Sequence, residues 1–109
     1  MATRTPWGKS QQSIKVAPGI MWYSTAGHGG YHLSKKRLEK MPKKFRDFKP
    51  FAGEGWFEED IDWIVVVFSF SKDFLRYWGF HHYVDMLKIA KSTQYIYKEY
   101  FSKRGVIYE

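Results

Sequence analysis

The sequence predicts an α+β fold in which a small N-terminal antiparallel β-sheet, arranged as a meander, packs against two or three helices. Two observations predict it. Short strand-like segments separated by glycine turns occupy the first third of the chain, and apolar residues at helical spacing occupy its end. With 109 residues and 20% aromatic side chains, the chain can form one modest core. We therefore expect a single domain, residues 1–109, that ends in a long amphipathic helix.

The meander is predicted from three short segments. Residues 13–16 alternate polar and apolar side chains, and the turn signal Pro18-Gly19 separates them from a second strand over 20–24. The segment 27–30, GHGG, is expected to form the next turn and to lead into a third strand over 31–33. An antiparallel sheet of these three strands is the simplest arrangement.

The middle of the chain gives mixed signals. Ser34 is a suitable N-cap for a short helix over 35–41, and the prolines and glycines of residues 42–55 predict a loop. The segment 56–70, WFEEDIDWIVVVFSF, fits a buried strand because of its β-branched run. It also fits a helix, because carboxylates at the start of a helix complement the helix dipole. We favour the helix.

The last element is a long amphipathic helix, predicted over residues 82–103. Apolar side chains recur along it at helical spacing, which is typical of a helix with one buried face. Lys103 and Arg104 stand where cations complement the dipole, and Gly105 suits the left-handed position that follows a helix. We expect the helices to pack on one face of the sheet.

The composition argues against several classes of protein. The absence of cysteine excludes a disulfide-stabilised scaffold and thiolate metal sites, and it is typical of a reducing compartment. The longest apolar run, residues 63–68, is far shorter than the roughly 20 residues that cross a bilayer. The first residues also lack the apolar region of a secretory signal. We expect a soluble, cytoplasmic protein.

The charge is unevenly distributed along the chain. The net charge is +7, and residues 35–49 contain eight cations and two acids. Residues 54–62 contain five acids and no base. Such polarity indicates a charged partner, or two segments that neutralise each other in the fold. The sequence leaves both interpretations open.

The basic segment, KKRLEKMPKKFRDFKPF, interleaves cations with aromatic residues. Lysine and arginine neutralise phosphates without reading base sequence, and exposed aromatic rings stack on unpaired bases. The segment therefore predicts contact with nucleic acid or another polyanion, the alternative being a solvated loop without a partner. The candidate partner-binding residues are Lys35, Lys36, Arg37, Lys40, Lys43, Lys44 and Arg46.

The His-Gly-Gly sequence at residues 28–30 is a candidate ligand site. Adjacent glycines can expose consecutive backbone N–H groups to an anion, and the predicted helix opens close behind them. The alternative is a glycine-rich hairpin turn with an exposed histidine. The candidate ligand-binding residues, which include the acidic block, are His28, Gly29, Gly30, Ser34, Trp56, Glu59 and Asp60.

The acidic block raises the question of catalysis. Glu58 or Glu59 can supply a general base, with His28 as its acid/base partner. The alternative is that these acids only stabilise the start of a helix. His28 and His32 are four residues apart, but two glycines intervene and no cysteine assists, so we expect neither a metal site nor a cofactor.

Four sequence blocks occur in order along the chain. They are TPWG at 5–8, APGI at 17–20, STAGHGG with a following LS at 24–34, and GWFEED at 55–60. Together they resemble an uncharacterised family of small phage and plasmid domains, over roughly residues 5–70 of this chain. The resemblance implies a helix after the acidic block, although the valine-rich segment here departs from the alanine- and leucine-rich pattern of that family.

The resemblance also implies a shared site at His28, Glu58, Glu59 and Asp60, and an origin in a mobile element. Small phage proteins often inhibit host defence, so an inhibitor of CRISPR or a similar system is implied, as a monomer or a dimer. Its partner would be a defence protein, a ribonucleoprotein, nucleic acid or a nucleotide in the infected cell. The alternative is a small metal- or acid/base-dependent enzyme that acts on a phosphate-containing substrate.

Overall fold

The α+β class predicted from the sequence is confirmed. The computed structural model describes residues 2–108, which form a two-stranded and a four-stranded antiparallel sheet together with six helices. The strands are β1 (Arg4–Thr5), β2 (Gly8–Lys9), β3 (Gln12–Ala17), β4 (Ile20–Ser24), β5 (Gly29–Leu33) and β6 (Trp56–Glu58). The helices are α1 (Lys35–Glu39), α2 (Lys43–Arg46), α3 (Trp63–Ser69), α4 (Ser71–Trp78), α5 (Phe80–Ile96) and α6 (Lys98–Lys103).

The predicted meander forms, with one strand more than expected. The larger sheet has the order β3-β4-β5-β6, so the three predicted strands are neighbours and β6 is added at the edge. The turn predicted at 27–30 is wrong by two residues. Gly29 and Gly30 belong to β5, where they pair with Ser24 and Tyr23, because pairing with β4 satisfies their main chain.

The helix predicted over 56–70 is correct only for its second half. Residues 56–58 form β6, which pairs with Gly30–His32, and the following acids lie in a turn rather than in the first turn of a helix. The β-branched run is helical in α3, which is buried from Trp63 to Val67. A helix that is apolar on every side is stable when it is enclosed by the core.

The region predicted as a loop over 42–55 contains α2. Pro42 precedes the helix, a position where its missing N–H costs nothing. Phe45 and Phe48 on either side of its end are buried and attach the segment to the core, whereas Phe51 is exposed. The helix α4 was not predicted at all.

The long C-terminal helix is interrupted. It begins at Phe80, two residues earlier than predicted, and Tyr97 leaves helical geometry between α5 and α6. The break redirects the last turn so that Phe101 packs against Phe48. Gly105 has φ +106°, the left-handed conformation that was predicted for the residue after the helix. The N–H of Gly105 donates to the Ser102 carbonyl, and the N–H of Val106 donates to the Phe101 carbonyl.

The core lies between one face of the larger sheet and the helices. The register places Ile20, Leu33 and Phe57 on this face, and all three are fully buried. The helix α3 lies against them, and burying each of its valines contributes about 1.5–3 kcal/mol. Among residues 2–108, no helix combines the length and the apolar character needed to span a membrane.

Candidate functional site

His28 lies in the turn between β4 and β5, with an exposed side chain. Thr25 closes the turn, since its N–H donates to the His28 carbonyl at 2.7 Å and its hydroxyl accepts from the His28 N–H at 3.2 Å. The main-chain polar groups of His28 are therefore satisfied locally. Its imidazole is the part that faces solvent.

Gly29 and Gly30 do not form an anion-binding turn. Both are buried in β5, neither has a positive φ, and the Gly29 carbonyl accepts from the Glu59 N–H at 2.9 Å. An anion-binding concavity needs unpaired N–H groups in a turn. These glycines instead lie inside the sheet, so the predicted capture of an anion there has no geometric support.

Close approach explains both glycines. A Cβ at Gly29 would lie 2.9 Å from Oε2 of Glu59 and 2.9 Å from Cζ2 of Trp22. A Cβ at Gly30, on the opposite face, would lie 2.5 Å from the Phe57 carbonyl oxygen and would overlap the Trp7 ring. Each glycine therefore admits an indole ring to one face of the sheet.

Trp56 belongs to an aromatic cluster on the outer face of the sheet. Its ring centroid lies 4.3 Å from that of His32, 5.7 Å from that of Tyr23 and 5.8 Å from that of Trp7. Burial within this cluster lowers the pKa of His32. Trp56 is thus separated by the sheet from Glu59, and the predicted ligand-binding set is divided between two faces.

Glu58, Asp60 and His28 form a small group of titratable side chains. Burial raises the pKa of Glu58, and so do the hydrogen bond and the negative charge of Asp60. The charge of His28 acts in the opposite direction. The structure therefore brings three of the four residues of the implied shared site together, while Glu59 faces the other side of the sheet beside Trp22.

Asp62 differs from the other acids of segment 54–62 because it has a structural role inside the fold. It is 1% exposed, and its carboxylate accepts from the Phe51 N–H at 2.9 Å and from the Tyr100 hydroxyl at 2.8 Å. Burial raises the pKa of Asp62, and these hydrogen bonds and the charge of Arg104 oppose the rise. Asp62 thereby joins the loop after α2 to the C-terminal helix.

Ser34 and Arg37 also have structural roles. The Ser34 hydroxyl caps α1 by accepting from the Arg37 N–H at 3.2 Å, as predicted. The Arg37 guanidinium pairs with both oxygens of Asp73, at 2.8 and 3.4 Å, and donates to the Pro18 carbonyl at 2.8 Å. It also lies 4.9 Å above the Phe70 ring. Arg37 therefore ties α1 to α4 and is not a free surface cation.

The other predicted basic residues face solvent. The Arg46 guanidinium returns to the Met41 carbonyl at 3.3 Å, and the lysines make no ion pair with any of residues 2–108. The exposed cations of the basic segment that were predicted to meet a partner are Lys35, Lys36, Lys40, Lys43, Lys44 and Arg46. Two of these residues line clefts, Arg46 beside the loop after α2 and Lys44 at the C-terminal end of the fold.

That cleft, of about 630 Å³, is the strongest candidate site for an anion. Two lysine ammonium groups flank one tyrosine ring, since Nζ of Lys44 and Nζ of Lys98 each lie 5.2 Å from the centroid of Tyr108. No carboxylate among residues 2–108 lines it. We call it the lysine–tyrosine cleft; its lining residues are Lys44, Lys91, Gln94, Tyr95, Lys98 and Tyr108.

Residues 106–108, which follow Gly105, form one side of the lysine–tyrosine cleft. After Gly105 the chain turns back toward α2, where the Ile107 N–H donates to the Lys44 carbonyl at 3.0 Å. This contact places Tyr108 between α2 and the junction of α5 with α6. Burial raises the pKa of Tyr108, although Gln94 opposes the rise, so the phenol stays neutral at pH 7.

Five of the six lining residues were missed in the sequence, although a signal existed for four of them. Lys91, Gln94, Tyr95 and Lys98 recur at spacings of three, four and seven, which places them on one side of a helix. The interpretation of this helix rested on its apolar stripe and left the polar side unused. Tyr108 lies beyond the helix, and only the tertiary fold could identify it.

A second cleft, of about 390 Å³, lies between the helix-facing side of the sheet and α5. It combines three aromatic rings with two carboxylates, and its described lining contains no lysine, arginine or histidine. We call it the aromatic–carboxylate cleft; its lining residues are Trp22, Tyr31, Glu59, Asp60, Trp63, Met86, Ile89 and Thr93. The sequence identified Glu59 and Asp60 but not the rings beside them.

Two further observations limit the chemistry. A cleft of about 690 Å³ borders the loop after α2, but Arg46 and Lys49 face Asp47 and Glu54 there, so its lining favours neither sign of ligand charge. Within residues 2–108, no group of three histidine, aspartate or glutamate side chains is arranged to hold a metal ion.

Comparison with known proteins gives a family and no activity. No curated protein and no solved structure matches the chain. Residues 1–104 match a family described as a domain of unknown function, DUF7007, which is consistent with the uncharacterised family that the sequence blocks resemble. The match covers nearly the whole chain. This protein therefore belongs to the DUF7007 family.

Proposed function

We propose that this protein acts by binding, and that its lysine–tyrosine cleft takes nucleic acid or a nucleotide-related partner. The observation that carries the proposal is the lining of the cleft, to which residues 2–108 contribute three lysines, two tyrosines and one glutamine but no carboxylate. No ion pair within the same range includes Lys44, Lys91 or Lys98, and lysine ammonium groups bind phosphates by charge.

The aromatic part of the cleft suits unpaired bases. Tyr95 is 75% exposed on α5, one helical turn from Lys91, and its ring offers a surface on which a base can stack. The cleft volume is in the range of pockets that hold nucleotide-sized ligands. The exposed lysines of α1 and α2 add a positive field around it, which accelerates encounter with a polyanion.

We further propose a setting in counter-defence, with the protein inhibiting CRISPR or a similar host system in the cytoplasm. The support is the resemblance of the four sequence blocks to small phage and plasmid domains. A ribonucleoprotein, a guide nucleic acid or a signalling nucleotide would each offer the phosphates that the lysine–tyrosine cleft can bind.

Fluorescence anisotropy with a labelled single-stranded oligonucleotide at low salt tests the proposal. The variant K44E/K91E/K98E should weaken binding by about 100-fold or more, because three attractive contacts become repulsive. The matched control K35E/K36E/K40E changes the net charge equally but leaves the cleft intact, and it should weaken binding by about tenfold at most. Equal losses in the two variants, or no binding by the natural chain, would refute the proposal.

A second candidate function rests on the titratable group at the end of the sheet. Burial and Asp60 raise the pKa of Glu58 beside His28, and a carboxyl with a raised pKa next to a histidine is suited to acid/base catalysis on a phosphate-containing substrate. Turnover assays on nucleotides and oligonucleotides, with and without divalent metal ions, test it. Activity that H28A abolishes while binding persists would establish the enzyme; absence of turnover would eliminate it.

A further inference from the structure

The aromatic–carboxylate cleft plays no part in the proposed binding at the lysine–tyrosine cleft, although its Asp60 also contacts Glu58 of the second candidate site. The lining of the aromatic–carboxylate cleft has a definite chemical character. Trp22 and Tyr31 meet at 66° with their centroids 4.9 Å apart, so their rings form two walls of a corner rather than a stack. Trp63 and the side of α5 complete the enclosure. Glu59 and Asp60 stand in the turn after β6 and supply its negative charge.

We propose that the aromatic–carboxylate cleft binds the ammonium group of an organic cation. Aromatic rings attract cations to their faces, and the attraction grows when the site is shielded from water. Carboxylates add direct charge complementarity, and no cationic side chain among the described lining residues competes for them. Neither Glu59 nor Asp60 takes part in an ion pair within residues 2–108.

Tyr31 supports the same ligand. Its side chain is 7% exposed, and its ring lines the cleft with its centroid 4.9 Å from that of Trp22. Burial and the neighbouring Tyr77 raise the pKa of Tyr31, so the group remains a neutral phenol at physiological pH. A neutral phenol keeps an uncharged aromatic ring beside the ligand, and such a ring attracts an ammonium group to its face.

Gly29 brings the carboxylate and the indole together. A Cβ at this position would lie 2.9 Å from both Oε2 of Glu59 and Cζ2 of Trp22, so a larger residue would displace the carboxylate or the indole ring. The glycine thus keeps a negative charge and an aromatic surface on the same side of the sheet, where one cation can contact both. This gives Gly29 a role in the cleft that the sequence motif alone did not indicate.

Two sources can supply the ligand chemistry. One is a small free quaternary amine, and the other is a trimethylated lysine side chain of a partner protein. Both present an alkylammonium group, and choline and a peptide containing trimethyllysine represent them in solution. Tighter binding of choline would assign the cleft to a free amine, whereas tighter binding of the peptide would assign it to a partner protein.

The five tryptophans allow a direct test by NMR, with indole N–H signals assigned from single Trp→Phe variants of the full chain. Choline should shift the signals of Trp22 and Trp63 and leave those of Trp7, Trp56 and Trp78 in place. Its uncharged isostere, 3,3-dimethylbutan-1-ol, should bind at least about tenfold more weakly, because it offers no charge to the rings or carboxylates. Equal affinity for the two compounds, or the absence of a shift with either cation, would overturn the proposal.

A pair of variants separates local from general charge effects. E59Q/D60N should lower choline affinity by about tenfold, whereas E39Q/E54Q removes the same charge outside the cleft and should leave it unchanged. Equal effects of the two pairs would also overturn the proposal. Neither result depends on the lysine–tyrosine cleft, so this site and the proposed function can fail separately.

Discussion

The lysine–tyrosine cleft and the aromatic–carboxylate cleft lie against the same helix, α5, but carry opposite charges. Lys91 and Tyr95 of this helix line the first, and Met86 and Ile89 line the second. The two charged segments of the sequence therefore supply different sites. No ion pair within residues 2–108 joins the basic segment 35–49 to the acidic segment 54–62, although Arg46 and Lys49 line the same cleft as Glu54.

Each charged segment also divides into enclosed and solvent-facing members. Arg37 and Asp62 are held by several partners inside the fold, whereas the lysines and the acids around them face solvent or a cleft. Proximity in sequence therefore does not predict a common role. The expected effects of substitution differ accordingly, on stability for the enclosed residues and on binding for the others.

Asp62→Ala should have the largest effect on stability. The substitution removes the buried carboxylate that accepts from the Phe51 N–H and the Tyr100 hydroxyl in two part-buried hydrogen bonds, and we expect the free energy of unfolding to fall by about 2–3 kcal/mol. Urea denaturation of the variant and of the natural chain measures this difference in the free energy of unfolding. Asp60→Ala, which removes an exposed acid from the same segment, should change stability by less than about 0.5 kcal/mol. Equal losses would contradict the division into enclosed and exposed acids.

Arg37→Ala should have the next largest effect. It removes the pair with Asp73, the hydrogen bond to Pro18 and the contact with the Phe70 ring, and we expect stability to fall by about 2 kcal/mol. Arg37→Lys should recover less than about half of this stability, because an ammonium cannot reproduce the bidentate geometry.

Lys36→Ala is the control for Arg37, and urea denaturation compares the variants. Lys36 is exposed on the same short helix, so its replacement should leave stability within about 0.5 kcal/mol of the natural chain. A decrease at Lys36 as large as that at Arg37 would show that α1 depends on general charge rather than on the Arg37 contacts.

The salt dependence of oligonucleotide binding should distinguish the lysines that line the lysine–tyrosine cleft from the lysines outside it. The slope of log K against log salt becomes shallower by about 0.7 for each phosphate of a single strand that the protein no longer neutralises. Lys44→Gln, Lys91→Gln and Lys98→Gln should each produce such a decrease, as measured by anisotropy at several salt concentrations. Lys35→Gln, outside the lysine–tyrosine cleft, should leave the slope unchanged. Identical slopes for all four variants would indicate a diffuse field instead of a site.

Local signals account for what the sequence predicted correctly. The meander depends on turns between adjacent strands, the cap at Ser34 on a residue three positions away, and the helix end at Gly105 on its own φ. Each of these features is decided within a few residues. For the same reason the alternating segment 13–16 correctly predicted a strand.

Long-range contacts account for what the sequence could not predict. The edge strand β6 is three residues long, and only its pairing with β5 decides that it is a strand. The lysine–tyrosine cleft requires the contact between Ile107 and Lys44, and the role of Asp62 requires Tyr100, which is 38 residues away. The helical state of the valine run depends on enclosure by the core, which outweighs its intrinsic β propensity.

His28, in the turn before β5, and His32, within the strand, extend the contrast between exposed and enclosed groups to pH dependence. The expected effect is the smallest of those considered. Burial lowers the pKa of His32 below its ordinary value of 6.5, so the folded state favours the neutral ring and the unfolded state binds the proton more readily. The contribution of His32 is therefore fully present above pH 6.5 and disappears as the pH falls through the lowered pKa. We expect a decrease below about 1 kcal/mol, because solvent still reaches part of the ring.

We would measure the free energy of unfolding of His32→Gln and of the natural chain between about pH 7.5 and pH 5. The difference between the two curves gives the contribution of His32. The difference from the natural chain matters, because the raised pKa of Glu58 contributes to the pH dependence of stability with the opposite sign. His28→Gln, at the exposed turn, should retain the pH dependence that His32→Gln removes. An NMR titration of His32 gives its pKa directly. A value at or above 6.5 would mean that the Trp56 ring, 4.3 Å away, stabilises the imidazolium by more than burial disfavours it.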